Sequence, residues 1–146
     1  MGEGSCSQAS LLDGAAKGSC TVIVGSGIDF IDIGRVEREL ARKPWAPEQG
    51  IFTSSEIDFC NLSKKSALLY AACFAAKEAA LKALGIEVQT LACFREVEVL
   101  PDLKGNCALR LRGQAQAVSE QLGVHRVSVA VTMNKRLSGA MVVLES

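Results

Sequence analysis

One acidic residue stands out on the strongest predicted helix of this chain. Glu78 shares a helix face with Ala71, Phe74 and Ala75 at i, i+3, i+4 and i+7 spacing, and Lys82 follows one turn later. A carboxylate on a small apolar face needs a cationic partner or a metal, because removing a charge from water is costly. The alternative is an exposed Glu78–Lys82 pair, which would contribute about 0.3–0.5 kcal/mol and do no chemistry.

Asp29 is a second carboxylate in an apolar segment, between Ile28 and Phe30. Its simplest interpretation is the solvent-facing residue of an alternating strand. Combined with Glu78, it supplies the one or two protein carboxylates that Mg²⁺ uses beside water and substrate phosphates. Lysines near the same helix add positive charge suited to phosphate: Lys64, Lys65, Lys77 and Lys82. The pattern therefore favours magnesium-assisted phosphate chemistry and leaves the structural alternatives open.

The overall composition narrows the class of protein. The 146 residues carry 16 basic and 16 acidic side chains, so the zero net charge argues against a generally basic nucleic-acid binder. No apolar run approaches the roughly 18 residues of a membrane span. His125 is the single histidine, which excludes a histidine-rich metal site. We expect one domain with a buried core.

The cysteines and the first residues indicate the compartment and the domain boundary. The six cysteines include no Cys-x-x-Cys spacing, so we expect reduced thiols in a cytoplasmic setting rather than disulfides. Residues 1–20 are rich in Gly, Ser and Ala and predict a disordered tail, which leaves an organellar matrix open. Residues 21–146 are the predicted folded domain.

The elements that must position the two carboxylates follow from local patterns. Residues 21–33 predict a strand interrupted by Gly25 and Gly27. Residues 34–43 predict a short helix that ends before Pro44, since the residue preceding a proline disfavours helical geometry.

Stronger helix signals follow in the middle of the chain. Thr53 and Glu56 have capping-box spacing, which predicts a second short helix. Residues 67–84 contain eight alanines and neither Gly nor Pro, and Gly85 marks the end of this long helix.

The last third of the chain alternates between strand and helix patterns. Residues 96–99 and 109–112 alternate valine or leucine with opposite charges, which predicts a hairpin with acidic–basic cross-strand pairs. A helix over 113–123 and two strands complete the pattern. We therefore expect a compact α+β domain with a mainly antiparallel sheet packed against the alanine-rich helix.

Three ordered blocks, GIDFIDIGRVE, IFTSSEIDFC and FAAKEAALKALG, resemble one family. They are similar to the holo-acyl-carrier-protein synthases, the small bacterial-type 4′-phosphopantetheinyl transferases, and the match extends over nearly all of residues 24–145. The resemblance implies transfer of 4′-phosphopantetheine from coenzyme A to a serine of an apo acyl carrier protein, with adenosine 3′,5′-bisphosphate as the other product. It also implies a homotrimer with active sites between protomers.

The resemblance assigns roles to several residues. Asp29 and Glu78 would hold Mg²⁺, and Lys82 would contact the same phosphate. The proton of the attacking serine would pass to Glu78 through a water or to Glu56, for which a purely structural capping role is the alternative. Lys64 and Lys65 would lie near the 3′-phosphate of the coenzyme, unless they are simply a solvated helix start.

A basic docking surface is expected because acyl carrier proteins are acidic. Arg35, Arg38 and Arg42 share one face of the predicted helix at 34–43, since they are three and four residues apart. The alternative is a solvated face that Glu37 and Glu39 partly neutralise.

The chain departs from the family pattern at two positions. Cys73 replaces an arginine, and Met133 replaces a histidine next to Thr132, which keeps the hydroxyl of a serine that would face the coenzyme. Losing these two groups should weaken coenzyme binding by about 1.5–3 kcal/mol each. The departures leave a second hypothesis, a degenerate paralogue that binds coenzyme A or carrier protein without transfer. A general magnesium-dependent nucleotide-binding module is a third.

Overall fold

The computed structural model describes residues 20–42, 50–101 and 106–146. The elements run in chain order as follows: β1 Ile23–Asp32, α1 Ile33–Ala41, α2 Ser54–Asn61, α3 Ser66–Leu84, a 3₁₀ helix Leu91–Glu96, β2 Val97–Pro101, β3 Cys107–Leu111, α4 Gly113–Gln121, β4 Arg126–Met133 and β5 Leu137–Glu145. Among these elements, no helix is long and apolar enough to cross a membrane.

Two antiparallel sheets organise the domain. The larger has the strand order β1–β5–β4, and β2 and β3 form a separate hairpin. One face of the larger sheet packs against α3, which contacts both β1 and β5. The predicted α+β class with a mainly antiparallel sheet and a long alanine-rich helix is therefore confirmed.

The backbones of β1 and α3 approach each other closely at two glycines. A Cβ atom on Gly27 would overlap the carbonyl oxygen of Ala79, and one on Gly25 would overlap that of Ala83. These glycines do not interrupt β1, which runs through both with one bulge before Gly25. Their role is to let the helix lie directly on the strand. The buried alanines of α3 allow the same approach from the other side.

The helix ends follow the expected local chemistry. Thr53 and Glu56 form both bonds of the capping box that begins α2. Gly85, with φ of 68°, ends α3 in the left-handed conformation that glycine tolerates best. Asp32 begins α1 by accepting a hydrogen bond from the Arg35 amide at 2.8 Å, so this helix starts slightly earlier than the pattern predicts.

The predicted charge pairing in the hairpin is confirmed for one of its two acids. Glu98 lies opposite Arg110 in the register and accepts hydrogen bonds from Arg110 at 3.0 Å and from Arg112 at 2.8 Å. Glu96 precedes the strand, in the 3₁₀ helix, and accepts a hydrogen bond from the Ala115 amide at the start of α4. Strand β2 thus begins at Val97, one residue later than the alternation of charged and apolar residues predicts.

The face of the large sheet away from α3 carries exposed apolar side chains, and we call it the outer face. Ile28 and Phe30 of β1 are 54% and 62% exposed, and Leu137 and Met141 of β5 are 44% and 48% exposed. A contiguous apolar patch of this kind is typical of a protein interface. The expected tail at residues 1–20 lies outside the described residues except for Cys20.

Candidate active site

The first candidate site forms where β1 crosses α3. The Lys82 ammonium donates to Asp29 Oδ1 at 2.7 Å and to the Ile28 carbonyl oxygen at 3.3 Å. Asp29 faces the helix and its side chain is 16% exposed, whereas that of Lys82 is 50% exposed. The hydrogen bond that Lys82 donates to Asp29 raises the pKa of Lys82. Lys82 therefore forms its ion pair with Asp29 of β1. The alternative of an exposed Glu78–Lys82 pair within the helix is not what the structure has.

Glu78 completes this cluster one turn before Lys82. It is half-buried and has no ion-pair partner within 4.0 Å among the described residues. Burial raises the pKa of Glu78, the negative charge of Asp29 raises it further, and Lys82 opposes the shift. The two carboxylates are thus close enough to repel each other, with one ammonium bound to Asp29, which is an arrangement that favours an added cation.

The donor set fits Mg²⁺ better than a fully protein-coordinated metal. Among the described parts of the chain, no group of three or more His, Cys, Asp or Glu side chains could hold a metal ion. A cation between Asp29 and Glu78 would take its remaining ligands from water and phosphate oxygens, as Mg²⁺ commonly does. A shallow cavity of about 350 Å³ opens beside the cluster, lined by Ser26, Gly27, Ile28, Lys82 and Met141.

Lys64 and Lys65 lie at the other end of α3, in what we call the basic cavity. This cavity has a volume of about 530 Å³. Its lining includes Lys64, Lys65 and Ser66 before and at the helix start, Ile33 and Glu37 of α1, and Met133, Asn134 and Lys135 at the β4–β5 turn. Lys135 was not among the residues selected from the sequence, because only the turn brings it to the lysines.

The two candidate sites are well separated within one chain. Ser66 and Glu78 are twelve positions apart on α3, which is about 18 Å at 1.5 Å per residue. Thr132 belongs to neither site. It lies opposite Gly139, which lies opposite Phe30, so its side chain emerges on the outer face. The structure therefore brings Asp29, Glu78 and Lys82 together and leaves the other predicted coenzyme-binding residues elsewhere.

Glu56 lies in a buried ion pair on the opposite side of α3. Its Oε2 accepts from Lys77 Nζ and from the Thr53 amide, each at 2.8 Å, and its Oε1 accepts from the Val99 amide at 2.7 Å. Glu56 is 1% exposed. A serine on another protein cannot reach this carboxylate, so the geometry does not support Glu56 as proton acceptor and favours the structural capping role.

Lys77 is equally buried and does not supply charge to a phosphate site. Its ammonium donates to the carbonyl oxygens of Phe94 at 2.9 Å and Val97 at 2.6 Å, beside Glu56. Burial lowers the pKa of Lys77, and Glu56 opposes the shift. The sequence held a signal for this pair, because Lys77 shares a helix stripe with Tyr70, Cys73 and Ala80, and a charge there needs a buried partner.

The three arginines of the predicted docking face are exposed. Arg35 and Arg38 lie on α1 and Arg42 is its C-cap residue, while Ile33 and Val36 on the other face are buried. The geometry places the three guanidinium groups on the solvent side of the domain.

The two departures differ in their surroundings. Cys73 is 4% exposed and packs in the core, where the neighbouring Cys60 thiol and burial raise its pKa. Met133 is 41% exposed and lines the basic cavity. Only position 133 therefore changes the wall of a cavity directly.

Comparison with known proteins identifies the family of the chain. The family model of the 4′-phosphopantetheinyl transferase superfamily matches residues 25–136. A holo-[acyl-carrier-protein] synthase of Syntrophus aciditrophicus is 35% identical over 124 residues, which cover 85% of this chain and 97% of that protein.

Solved structures of the same enzyme from two bacteria share the fold. The holo-[acyl-carrier-protein] synthase of Neisseria meningitidis has a TM-score of 0.75 at 27% identity, covering 86% of this chain and 100% of that one. That of Bacillus anthracis, solved in complex with CoA (3′,5′-ADP), has a TM-score of 0.68 at 31% identity, covering 85% and 97%. The chain therefore belongs to the 4′-phosphopantetheinyl transferase superfamily, as an enzyme of its holo-[acyl-carrier-protein] synthase group.

Proposed function

We propose that this chain transfers 4′-phosphopantetheine from coenzyme A to a serine of an apo acyl carrier protein, with Mg²⁺, and releases adenosine 3′,5′-bisphosphate. The observation that carries the proposal is the cluster of Asp29, Glu78 and Lys82 in a chain of this family. The coenzyme bound to the Bacillus anthracis relative supports the choice of donor. We take residues 21–146 as the transferase domain.

The residues of the cluster would divide the work. Asp29 and Glu78 would hold Mg²⁺. When bound, this ion would neutralise the charge that develops on the leaving phosphate. The Lys82 side chain is 50% exposed, so its ammonium group can contact the same phosphate while it lies beside Asp29. Glu78, through a water, remains the candidate acceptor for the serine proton, because Glu56 is buried.

Mass spectrometry of the carrier protein tests the proposed transfer. The purified chain is incubated with coenzyme A, Mg²⁺ and apo acyl carrier protein, and the carrier should gain the mass of 4′-phosphopantetheine. Omitting Mg²⁺ and adding a chelator should prevent the gain. Coenzyme binding without any gain would overturn the proposal in favour of a paralogue that binds without transfer, which the changes at Cys73 and Met133 would then explain.

We also propose a homotrimer in which the two candidate sites meet across protomers. The pyrophosphate and the 3′-phosphate of coenzyme A are attached to the same ribose. The distance between these two groups is much shorter than the length of α3 that separates Glu78 from Lys65. The two candidate sites of a single protomer therefore cannot both bind the same coenzyme A molecule. The apolar outer face offers the surface for the partner.

Charge on the outer face should break the assembly. We expect Phe30→Arg to give monomers by light scattering and to lose transfer, because the charge would be buried in the interface. Leu62→Arg is the matched control, since Leu62 is 87% exposed and lies outside the outer face.

Mixing Glu78→Gln protomers with Lys64→Ala/Lys65→Ala protomers should partly restore transfer, because a mixed trimer can combine an intact site from each variant. An active Phe30→Arg monomer would contradict the shared site.

The exposed arginines of α1 are proposed to dock the acidic carrier protein. We expect Arg35→Glu or Arg42→Glu to raise the KM for the carrier protein at least tenfold and to leave the KM for coenzyme A nearly unchanged. Steady-state kinetics with each substrate varied in turn measures the difference. Arg95→Glu, an exposed arginine outside α1, is the control. Equal effects on both substrates would contradict the assignment to docking.

The natural setting is proposed to be the cytoplasm. Cys20, Cys60, Cys73 and Cys93 are free thiols, which suits a reducing compartment. An organellar matrix would suit them equally.

A further inference from the structure

The ammonium group of Lys82 is the cation that Asp29 binds within the chain itself. It donates to Asp29 Oδ1 at 2.7 Å and to the Ile28 carbonyl oxygen at 3.3 Å, so two oxygen atoms of β1 hold it. An oxygen that accepts this hydrogen bond is less available to a second cation, and two positive charges at such short range repel each other. The ion pair therefore competes with metal binding at Asp29.

Glu78 differs from Asp29 because it has no such partner. None of the ion pairs among the described residues includes Glu78. Burial and the negative charge of Asp29 raise the pKa of Glu78, whereas Lys82 lowers it. The single ammonium thus offsets part of the repulsion between the two carboxylates, which is the electrostatic role that a bound metal ion would otherwise take.

The Lys82 side chain has room to leave Asp29 Oδ1 while the backbone stays in place. It is 50% exposed, whereas the Asp29 side chain is 16% exposed. The cavity of about 350 Å³ opens beside the pair, and Lys82 lines it together with Ser26 and Met141. Lysine has a flexible four-carbon stem, and an ion pair with a half-exposed member is weak. An anion in this cavity can therefore take over the hydrogen bond at little cost.

We propose that Lys82 occupies Asp29 until a phosphate group accepts its hydrogen bond, and that this exchange couples metal binding to coenzyme binding. The identity of the phosphate, as the pyrophosphate of coenzyme A, rests on the proposed function. When the ammonium donates to the phosphate, Asp29 Oδ1 becomes available to Mg²⁺. Each ligand then favours binding of the other, and the chain alone binds the metal weakly. Lys82 is in this respect a positioning residue for the metal, in addition to its contact with the phosphate.

Titration calorimetry with MgCl₂, with and without saturating coenzyme A, tests this coupling. Coenzyme A should lower the Kd of the wild-type chain for Mg²⁺ at least about tenfold. Lys82→Met removes the ammonium and should lower the Kd for Mg²⁺ alone about tenfold, so the further gain from the coenzyme should be smaller. Lys82→Arg keeps the charge and should bind Mg²⁺ alone as weakly as the wild type.

Arg126→Met is the matched control. It also removes the cation of an exposed ion pair, that of Arg126 with Glu145 at 3.5 Å. This pair lies at the far end of β5 from Ala140, the residue opposite Asp29. The Kd for Mg²⁺ should therefore stay at the wild-type value in this variant.

Thermal unfolding supplies a second measurement that needs no coenzyme. Lys82→Met should lower the Tm in chelator, because Asp29 and Glu78 then repel each other without a cation beside them. Mg²⁺ should raise the Tm of this variant more than that of the wild type. Lys82→Gln replaces Lys82→Met in both measurements if the latter does not fold.

The outcomes separate this inference from the proposed function. A Kd for Mg²⁺ alone that is unchanged or higher in Lys82→Met would overturn the role of Lys82, even if the wild-type chain transfers 4′-phosphopantetheine. A wild-type chain that binds Mg²⁺ equally well with and without coenzyme A would overturn it too. Tighter binding of Mg²⁺ by Lys82→Met would support it even if the wild-type chain transfers nothing, in which case only the proposed transfer fails.

Discussion

Glu78→Gln is expected to abolish phosphopantetheine transfer, lowering kcat/KM by at least about a thousandfold. Gln keeps the size of the side chain and removes the charge that would hold Mg²⁺ and accept the serine proton, so both functions are lost together. Initial rates by mass spectrometry of the carrier protein measure the loss. Asp29→Asn should show a similar loss, because Asp29 would be the other protein ligand.

The same variant should be slightly more stable than the wild-type chain without metal. The raised pKa of Glu78 means that its carboxylate is less favourable in the folded chain than in the unfolded chain. Gln removes this cost, so the Tm in chelator should rise by about 1–3 °C, and Mg²⁺ should no longer raise it.

Glu87→Gln is the control, since Glu87 is exposed beyond the end of α3. It should change neither rate nor Tm. An active Glu78→Gln chain would remove the metal assignment altogether.

Lys77→Met is expected to destabilise the fold by about 3–5 kcal/mol, a large part of the stability of a small domain. Met has similar length but leaves the buried Glu56 carboxylate without its ammonium. It also removes the Lys77 hydrogen bond from the carbonyl oxygens of Phe94 and Val97, of which Phe94 still accepts from the Val97 amide. Urea denaturation followed by circular dichroism measures the free energy of unfolding.

Two further variants sharpen this prediction. Lys64→Met, at an exposed lysine, should change stability by less than about 0.5 kcal/mol. The double variant Glu56→Gln/Lys77→Met should cost less than the sum of the single variants, because it leaves no unpaired buried charge. A Lys77→Met chain as stable as the wild type would show that the pair contributes nothing.

Local sequence patterns predicted the elements that hold the site. Eight alanines and Gly85 specify α3, and the Thr53–Glu56 spacing specifies the start of α2, because both signals act within a few residues. Asp29 and Glu78 stood out for the same reason, as charges within apolar periodic segments.

Contacts between distant segments were not predictable in this way. Helix spacing offered Glu78 as the partner of Lys82, but the strand brings Asp29 to its ammonium. Burial of Lys77 depends on the carbonyl oxygens of Phe94 and Val97, which arrive from a segment about twenty residues away. Lys135 reaches the basic cavity only because the β4–β5 turn docks on α1.

The contact of Gly25 and Gly27 with α3 has a consequence for how the protein can vary. The main chain of β1 rests on the main chain of the helix, so the spacing between the carboxylate positions depends on contact between backbone atoms more than on how neighbouring side chains pack. Core side chains can be exchanged around it without moving the carboxylates apart. Substitutions elsewhere in the sequence are therefore expected to leave the distance between Asp29 and Glu78 nearly unchanged, while the exposed surfaces around them can diverge.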